Sequence, residues 1–207
     1  MTIPRFARSF GFGVALAMAM PAIADAMPHR VYDPTTHSFV SYTPESPDRN
    51  RPLDPQYQAQ VVSYETTEAP GTIVVDTANK FLYFVLKDGM AIRYGVGVGR
   101  EGFGWSGTVE IGAKQEWPTW TPPPEMIERR PELVAYADGM PGGPDNPLGA
   151  RAMYLFDNGR DTMFRIHGTN EPWSIGQNVS SGCIRMLNEH VAELYRFVDV
   201  GTKVIVM

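Results

Sequence analysis

The chain has 207 residues, 43% of them hydrophobic and 20% charged, with a formal net charge of −5. That is the balance of one soluble globular domain with tails, or at most two small domains. The negative charge argues against a nucleic-acid partner, which calls for a basic face, while 20 Gly and 18 Pro point to a strand- and turn-rich architecture rather than a helical bundle.

At the N-terminus, Arg5 and Arg8 precede an apolar run over residues 10–20 that Pro21 breaks. The small-residue sites Ala22-Ile23-Ala24 and Ala24-Asp25-Ala26 follow at the spacing of a cleavable export signal, predicted over residues 1–26. Eleven apolar residues are too few to span hydrocarbon, and no Cys follows that would carry a lipid anchor. Residues 27–70 are polar and punctuated by Pro28, Pro34, Pro44, Pro47, Pro52 and Pro55, which predicts a flexible Pro-rich spacer. Within it, Tyr32, Phe39, Tyr42 and Val61-Val62 are the residues suited to docking as an extended arm.

The texture changes near Thr72, and residues 71–207 are the candidate folded domain. Ile73-Val74-Val75 is a short β-branched strand, and residues 81–86 are apolar on both faces, as in a buried strand. Asp88-Gly89 marks a hairpin, with residues 91–98 returning as the partner strand. Further strands are expected over 108–113, 152–156, 163–166 and 203–207. Residues 117–149 read as a long loop with a short helix near 125–132, and a loop of that length points to a lid or binding segment. The one clear helix is expected over 188–198, with Asn188 as N-cap and Val191, Leu194, Tyr195 and Val198 as its apolar face.

The chemistry concentrates in Ile166-His167-Gly168-Thr169-Asn170 and Ser180-Ser181-Gly182-Cys183-Ile184-Arg185-Met186. Cys183 is the one cysteine, so it forms no internal disulfide and is either an inert core thiol or a reactive one. A free thiol is only about 3% thiolate at pH 7, and a nearby imidazole is the usual means of activating it. His167 ends a strand sixteen residues upstream, a separation that lets the chain fold back and bring the two together. The small residues Ser180-Ser181-Gly182 let backbone N–H groups crowd a carbonyl oxygen, where one donor is worth about 3 kcal/mol. The Gly168 carbonyl is placed to hold the second ring nitrogen of His167, as a carboxylate does in other triads. Arg185 suits either a substrate carboxylate or an ion pair with Glu189 or another acid. His190 is expected on the helix's polar face. Four His and one Cys lend little support to a zinc site. Trp117, Trp120 and Trp173 suit a groove or plain packing equally.

His167-Gly168-Thr169 followed by Ser180-Ser181-Gly182-Cys183-Ile184-Arg185-Met186 resembles the catalytic signature of the L,D-transpeptidase (YkuD-type) family. The similarity extends over about residues 71–207, and the segment 141–149 resembles the periplasmic proteobacterial branch. One position departs: many members carry His directly before the Gly-Cys, where this chain has Ser181. The resemblance implies a mostly β fold, a sandwich or open barrel with one clear helix and a long catalytic-side loop. It also implies a periplasmic enzyme that attacks peptidoglycan peptide stems after diaminopimelate and releases D-Ala. The acyl group then passes to an amine of a second stem, a lipoprotein lysine or a D-amino acid, or to water. Carried over by position, Cys183 is the nucleophile and His167 the base. Gly168 orients His167, and the Ser181–Gly182–Cys183 backbone supplies oxyanion donors. No cofactor is implied, and carbapenems are expected inhibitors. Three other readings stand beside this one: a hydrolase on the same scaffold, a non-catalytic wall-binding module, and a structural protein with a buried, unreactive thiol.

Overall fold

The computed structural model describes residues 29–33, 38–42, 53–100 and 104–207; the expected export signal lies outside them. The chain divides into two units, residues 1–46 and 47–207. In the first, β1 (His29–Asp33) pairs antiparallel with β2 (Ser38–Tyr42), with Val31 opposite Val40.

The second unit is built on a nine-stranded sheet. Its members in chain order are β3 (Gln60–Ser63), β4 (Ile73–Asp76), β5 (Phe81–Val85), β6 (Met90–Gly95), β8 (Gly107–Glu116), β9 (Arg151–Asp157), β10 (Arg160–His167), β12 (Ile184–Arg185) and β13 (Lys203–Val206). In space the order is β12-β10-β9-β8-β13-β4-β5-β6-β3. The β13–β4 and β10–β12 pairs are parallel and the others antiparallel. A separate parallel pair joins β7 (Val98–Gly99) to β11 (Asn178–Ser180).

The ends of the sheet are drawn together where Gly97, just past β6, exchanges two backbone hydrogen bonds with Arg185 of β12 at 2.9 and 2.8 Å. The sheet thus curls over its own apolar face without closing into a continuous barrel. Inside lie Ile73, Val75, Leu82, Val96, Ile111, Met153, Leu155, Ile166, Ile184 and Met186, all essentially without exposure. This is the mostly β, sandwich-like architecture expected. The Asp88-Gly89 turn has positive φ at both residues (59° and 67°), the mirror-image turn that matches the strand twist.

Residues 53–64, read from the sequence as part of a flexible spacer, instead belong to the sheet's own surroundings. A 3₁₀ turn (Pro55–Tyr57) leads into β3, which pairs with β6 with Val61 opposite Ile92. The reason lies in β5, whose outward face carries Phe81 and Tyr83. Tyr57 packs on Phe81 with ring centroids 5.5 Å apart, and Tyr64 stacks on Tyr83 at 4.3 Å. An aromatic pair of this kind adds about 0.5–1.5 kcal/mol beyond area burial. That contribution is absent from any reading confined to the polar segment itself.

Helix α2 (Asn188–Phe197) presents Val191 and Leu194 to the core, fully buried, with Val198 just past its end. Two sequence expectations for it need correction. The residue at the N-cap position is Leu187, and Asn188 lies within the first turn with its side chain turned to other segments. His190 is not on a polar face: it is 5% exposed and packs against Tyr94, ring centroids 5.6 Å apart. Spacing along the helix does not reveal this, because the ring that covers His190 belongs to Tyr94 of β6. The Nδ1 of His190 has no hydrogen-bond partner, and burial lowers its pKa.

The 117–149 segment carries α1 (Pro124–Arg129) and a 3₁₀ turn (Pro131–Tyr136), near the short helix expected. Its base is closed by reciprocal backbone bonds between Trp120 and Met140, at 2.9 and 2.7 Å. Asn146, 1% exposed, donates to the carbonyls of Pro118, Met140 and Pro141 and accepts from the Leu148 amide. The segment is therefore pinned at its root rather than structureless.

Candidate functional site

The site forms where β10 ends beside β12. Because these strands run parallel with Ile166 level with Ile184 and His167 level with Arg185, Cys183 enters β12 one residue before the rung of Ile166. Neighbouring strands lie about 4.8 Å apart, so thiol and imidazole leave adjacent strands within two rungs of each other. The Met186 amide donates to the His167 carbonyl at 2.8 Å and seals that register.

His167 is 4% exposed. Its Nδ1 lies 2.5 Å from the Gly168 carbonyl oxygen. A carbonyl only accepts, so Nδ1 carries the proton and, in the neutral ring, Nε2 keeps its lone pair. Burial lowers the His167 pKa to about 3; the Arg185 charge pushes the same way, against the Gly168 carbonyl, which favours the cation. The ring is therefore neutral at pH 7 in one tautomer, with the basic nitrogen away from the backbone.

Cys183 is half-buried. Burial raises its pKa, opposed by a hydrogen bond from the Arg165 backbone N–H and by the positive charges of Arg165 and Arg185. Each shift favours the neutral form of its own group near pH 7, the thiol of Cys183 and the imidazole of His167. The sequence reading put activation in the His alone. Arg165 was missed because a backbone amide carries no sequence signal.

The turn before Cys183 is shaped by Ser180, whose Oγ donates to the Cys183 carbonyl at 2.6 Å and accepts from the Gly182 amide at 3.1 Å. Gly182 has φ +109°, a conformation that favours glycine. Its amide is thus engaged within the turn, which removes it from the free oxyanion donors expected of Ser181–Gly182–Cys183. Ser181 is exposed. Trp105 Nε1 donates to the Gly182 carbonyl at 3.1 Å while its ring stacks on Phe164, which anchors the turn from outside.

Arg185 forms an ion pair with Glu171, Nη1 to Oε2 at 2.7 Å, rather than with Glu189. Its Nε is buried and has no partner. Asn188 Oδ1 accepts from the amides of Ala150 (2.9 Å) and Thr169 (3.2 Å), and its Nδ2 donates to the Thr169 carbonyl at 3.0 Å. Among the described residues no three His, Cys, Asp or Glu side chains gather in a metal-binding group.

A curled β-sheet that sets one cysteine beside a carbonyl-oriented, buried histidine defines a thiol-and-imidazole type of site. The chain belongs to the L,D-transpeptidase family: residues 70–206 match the YkuD L,D-transpeptidase catalytic domain. It is 41% identical over 141 residues to the probable L,D-transpeptidase ErfK/SrfK of Escherichia coli K12, covering 64% of this chain and 42% of that protein. It is 38% identical over 138 residues to the probable L,D-transpeptidase YbiS of the same organism, covering 64% and 43%. The chain thus spans less than half the length of these curated relatives. Among solved structures, a Brucella melitensis protein described as a probable carnitine operon oxidoreductase caia is 50% identical, with a TM-score of 0.52, covering 75% of this chain and 96% of that one. That description concerns the Brucella protein and brings no activity to this chain.

Proposed function

We propose that this chain is a peptidoglycan L,D-transpeptidase, with Cys183 as nucleophile and His167 as general base. The observation that carries the reading is the 2.5 Å contact of His167 Nδ1 with the Gly168 carbonyl. It leaves Nε2 as the one basic position of a neutral imidazole on the strand beside the thiol.

In this reading Nε2 takes the thiol proton as sulfur attacks the carbonyl carbon of the bond between diaminopimelate and D-Ala. The new S–C bond makes a tetrahedral oxyanion, supported by the Cys183 and Ser181 amides. As it collapses, the C–N bond breaks and His167 returns the proton to the departing amine of D-Ala. An acceptor amine then attacks the thioester carbon and yields its proton to Nε2, and the sulfur leaves as thiolate and recovers that proton. A neutral resting pair suits this sequence, since Nε2 must be unprotonated at the start of each half-reaction. Arg185, held by Glu171, offers its remaining donors to a stem carboxylate. The pinned segment 117–149 is the candidate lid that favours an amine over water.

The wider setting belongs to the same proposal. Residues 1–26 act as an export signal, residues 71–207 hold the catalytic domain and the site works in the periplasm. The acceptor is a second stem, giving a 3–3 crosslink, or a lipoprotein lysine. Carbapenems acylate Cys183.

The test is the intact mass of the protein after incubation with a tetrapeptide stem, beside Cys183→Ala. A wild-type adduct equal to the stem less D-Ala, absent from the variant, supports the covalent step. Release of free tripeptide at an unchanged rate when an acceptor amine is added would assign a hydrolase instead. No adduct, with a thiol inert to iodoacetamide, would overturn the catalytic reading.

A further inference from the structure

Selection of the His167 tautomer depends on one carbonyl, that of Gly168, which lies just past the last rung of β10. A peptide unit is rigid and planar, so its C=O and the following N–H turn together. The unit that carries the Gly168 carbonyl ends in the Thr169 amide, and that amide is held by Asn188 Oδ1 at 3.2 Å. The two ends of one plane are thus tied, the oxygen to His167 and the N–H to Asn188. The next carbonyl, of Thr169, is held by Asn188 Nδ2 at 3.0 Å, which fixes the rotation on the far side as well.

We infer that Asn188 is the positioning residue that aims the Gly168 carbonyl at His167 and thereby keeps the imidazole in its Nδ1–H form. Asn188 reaches a third segment too. Its Oδ1 accepts from the Ala150 amide at 2.9 Å, and the Ala150 carbonyl accepts from the Trp117 amide at 2.9 Å. One side chain therefore ties the root of the 117–149 segment to the backbone beside the histidine. A carboxamide suits the place because it alone offers an acceptor and a donor in one plane at this length. Calling His167 the base rests on the proposed function; the tautomer and its dependence on Asn188 do not.

The experiment compares wild type, Asn188→Ala, Asn188→Asp and Val204→Ala, a core truncation remote from the site that serves as the stability control. Three readouts are taken: ring-nitrogen NMR of His167, the iodoacetamide rate at Cys183, and the acylation rate with tetrapeptide. Wild type is expected to show a protonated Nδ1 and a bare Nε2. N188A is expected to show mixed tautomers, with acylation and alkylation slowed roughly 10- to 100-fold, less than the loss of about 10⁴ seen when a triad histidine is held in the wrong tautomer. N188D keeps the two acceptor bonds and is expected to retain the Nδ1–H form. V204A is expected to lose stability while its thiol reacts as in wild type.

An N188A protein with a single Nδ1–H tautomer and rates within twofold of V204A would overturn the inference. If N188A does not fold, Asn188→Ser, whose shorter side chain cannot span the Ala150 and Thr169 amides, takes its place: mixed tautomers support the role, and a single Nδ1–H form with rates within twofold of V204A overturns it. Absence of a stem adduct on wild type would count against the proposed function, and the NMR and alkylation readouts would still decide Asn188.

Discussion

Replacing His167 with Gln isolates what burial of a neutral imidazole does to stability. The ring is 4% exposed, and burial first, then the Arg185 charge, lowers its pKa to about 3. In an unfolded chain the same ring titrates near 6.5. The folded value lies below the unfolded one, so the unfolded state takes up the proton first as pH falls. The stability contributed by neutral burial is complete above about pH 6.5 and is lost as the pH drops from there toward 3. At pH 5 the unfolded ring is about 97% protonated and the native ring is not, which costs about 2 kcal/mol from this residue alone. His190 and the carboxylates are common to both proteins and cancel. Urea unfolding at pH 7.5 and 5.0 gives the comparison: wild type should lose about 2 kcal/mol more than H167Q between the two conditions. Equal losses would refute the assignment of His167 as buried and neutral.

The resting pair is neutral, so iodoacetamide should alkylate Cys183 faster as pH rises through and above neutrality, with no plateau on the acid side. A rate already level at pH 4–5 would mean a preformed thiolate–imidazolium pair and would contradict the opposed shifts of Cys183 and His167. Gly168→Ala places a Cβ against Asn188 Oδ1 and the Ala150 amide; thermal melting should show a loss of about 2 kcal/mol or more, the cost of overpacking a rigid site. Asn146→Ala leaves the carbonyls of Pro118, Met140 and Pro141 without their side-chain donor. Limited proteolysis should then cut within residues 117–149 faster than in wild type, while the transfer-to-hydrolysis ratio falls. An unchanged ratio in a variant that is cut faster would remove the segment from the mechanism.

Much of the chemistry was legible in the chain because it sits in two short, unusual clusters. One cysteine after a run of small residues, with a His-Gly at a strand end, points to a thiol and its base without any fold. The strands from Ile73 onward, the Asp88-Gly89 turn and the buried stripe of α2 are likewise local: each is written in spacing, turn chemistry or β-branched runs. Gly168 was identified for the same reason, since its carbonyl is one peptide away from the ring it orients.

What the sequence hid was whatever depends on another segment's face. Val61-Val62 looks like spacer until β6 offers a backbone edge and the outward aromatics of β5 call for cover by Tyr57 and Tyr64. His190 reads as solvent-facing until Tyr94 closes over it. Asn188 has the composition of a helix cap, and only the convergence of α2, the end of β10 and the root of the 117–149 segment shows its amide bonded to the backbone next to His167. The same holds for the Arg165 amide beside Cys183 and for the Ser180 hydroxyl that takes the Gly182 N–H. The sequence alone determined which groups can do chemistry, because a residue's nucleophilicity and basicity belong to its type. Only the tertiary structure decided their protonation and aim, because pKa and tautomer follow from burial and from backbone partners that lie far away along the chain.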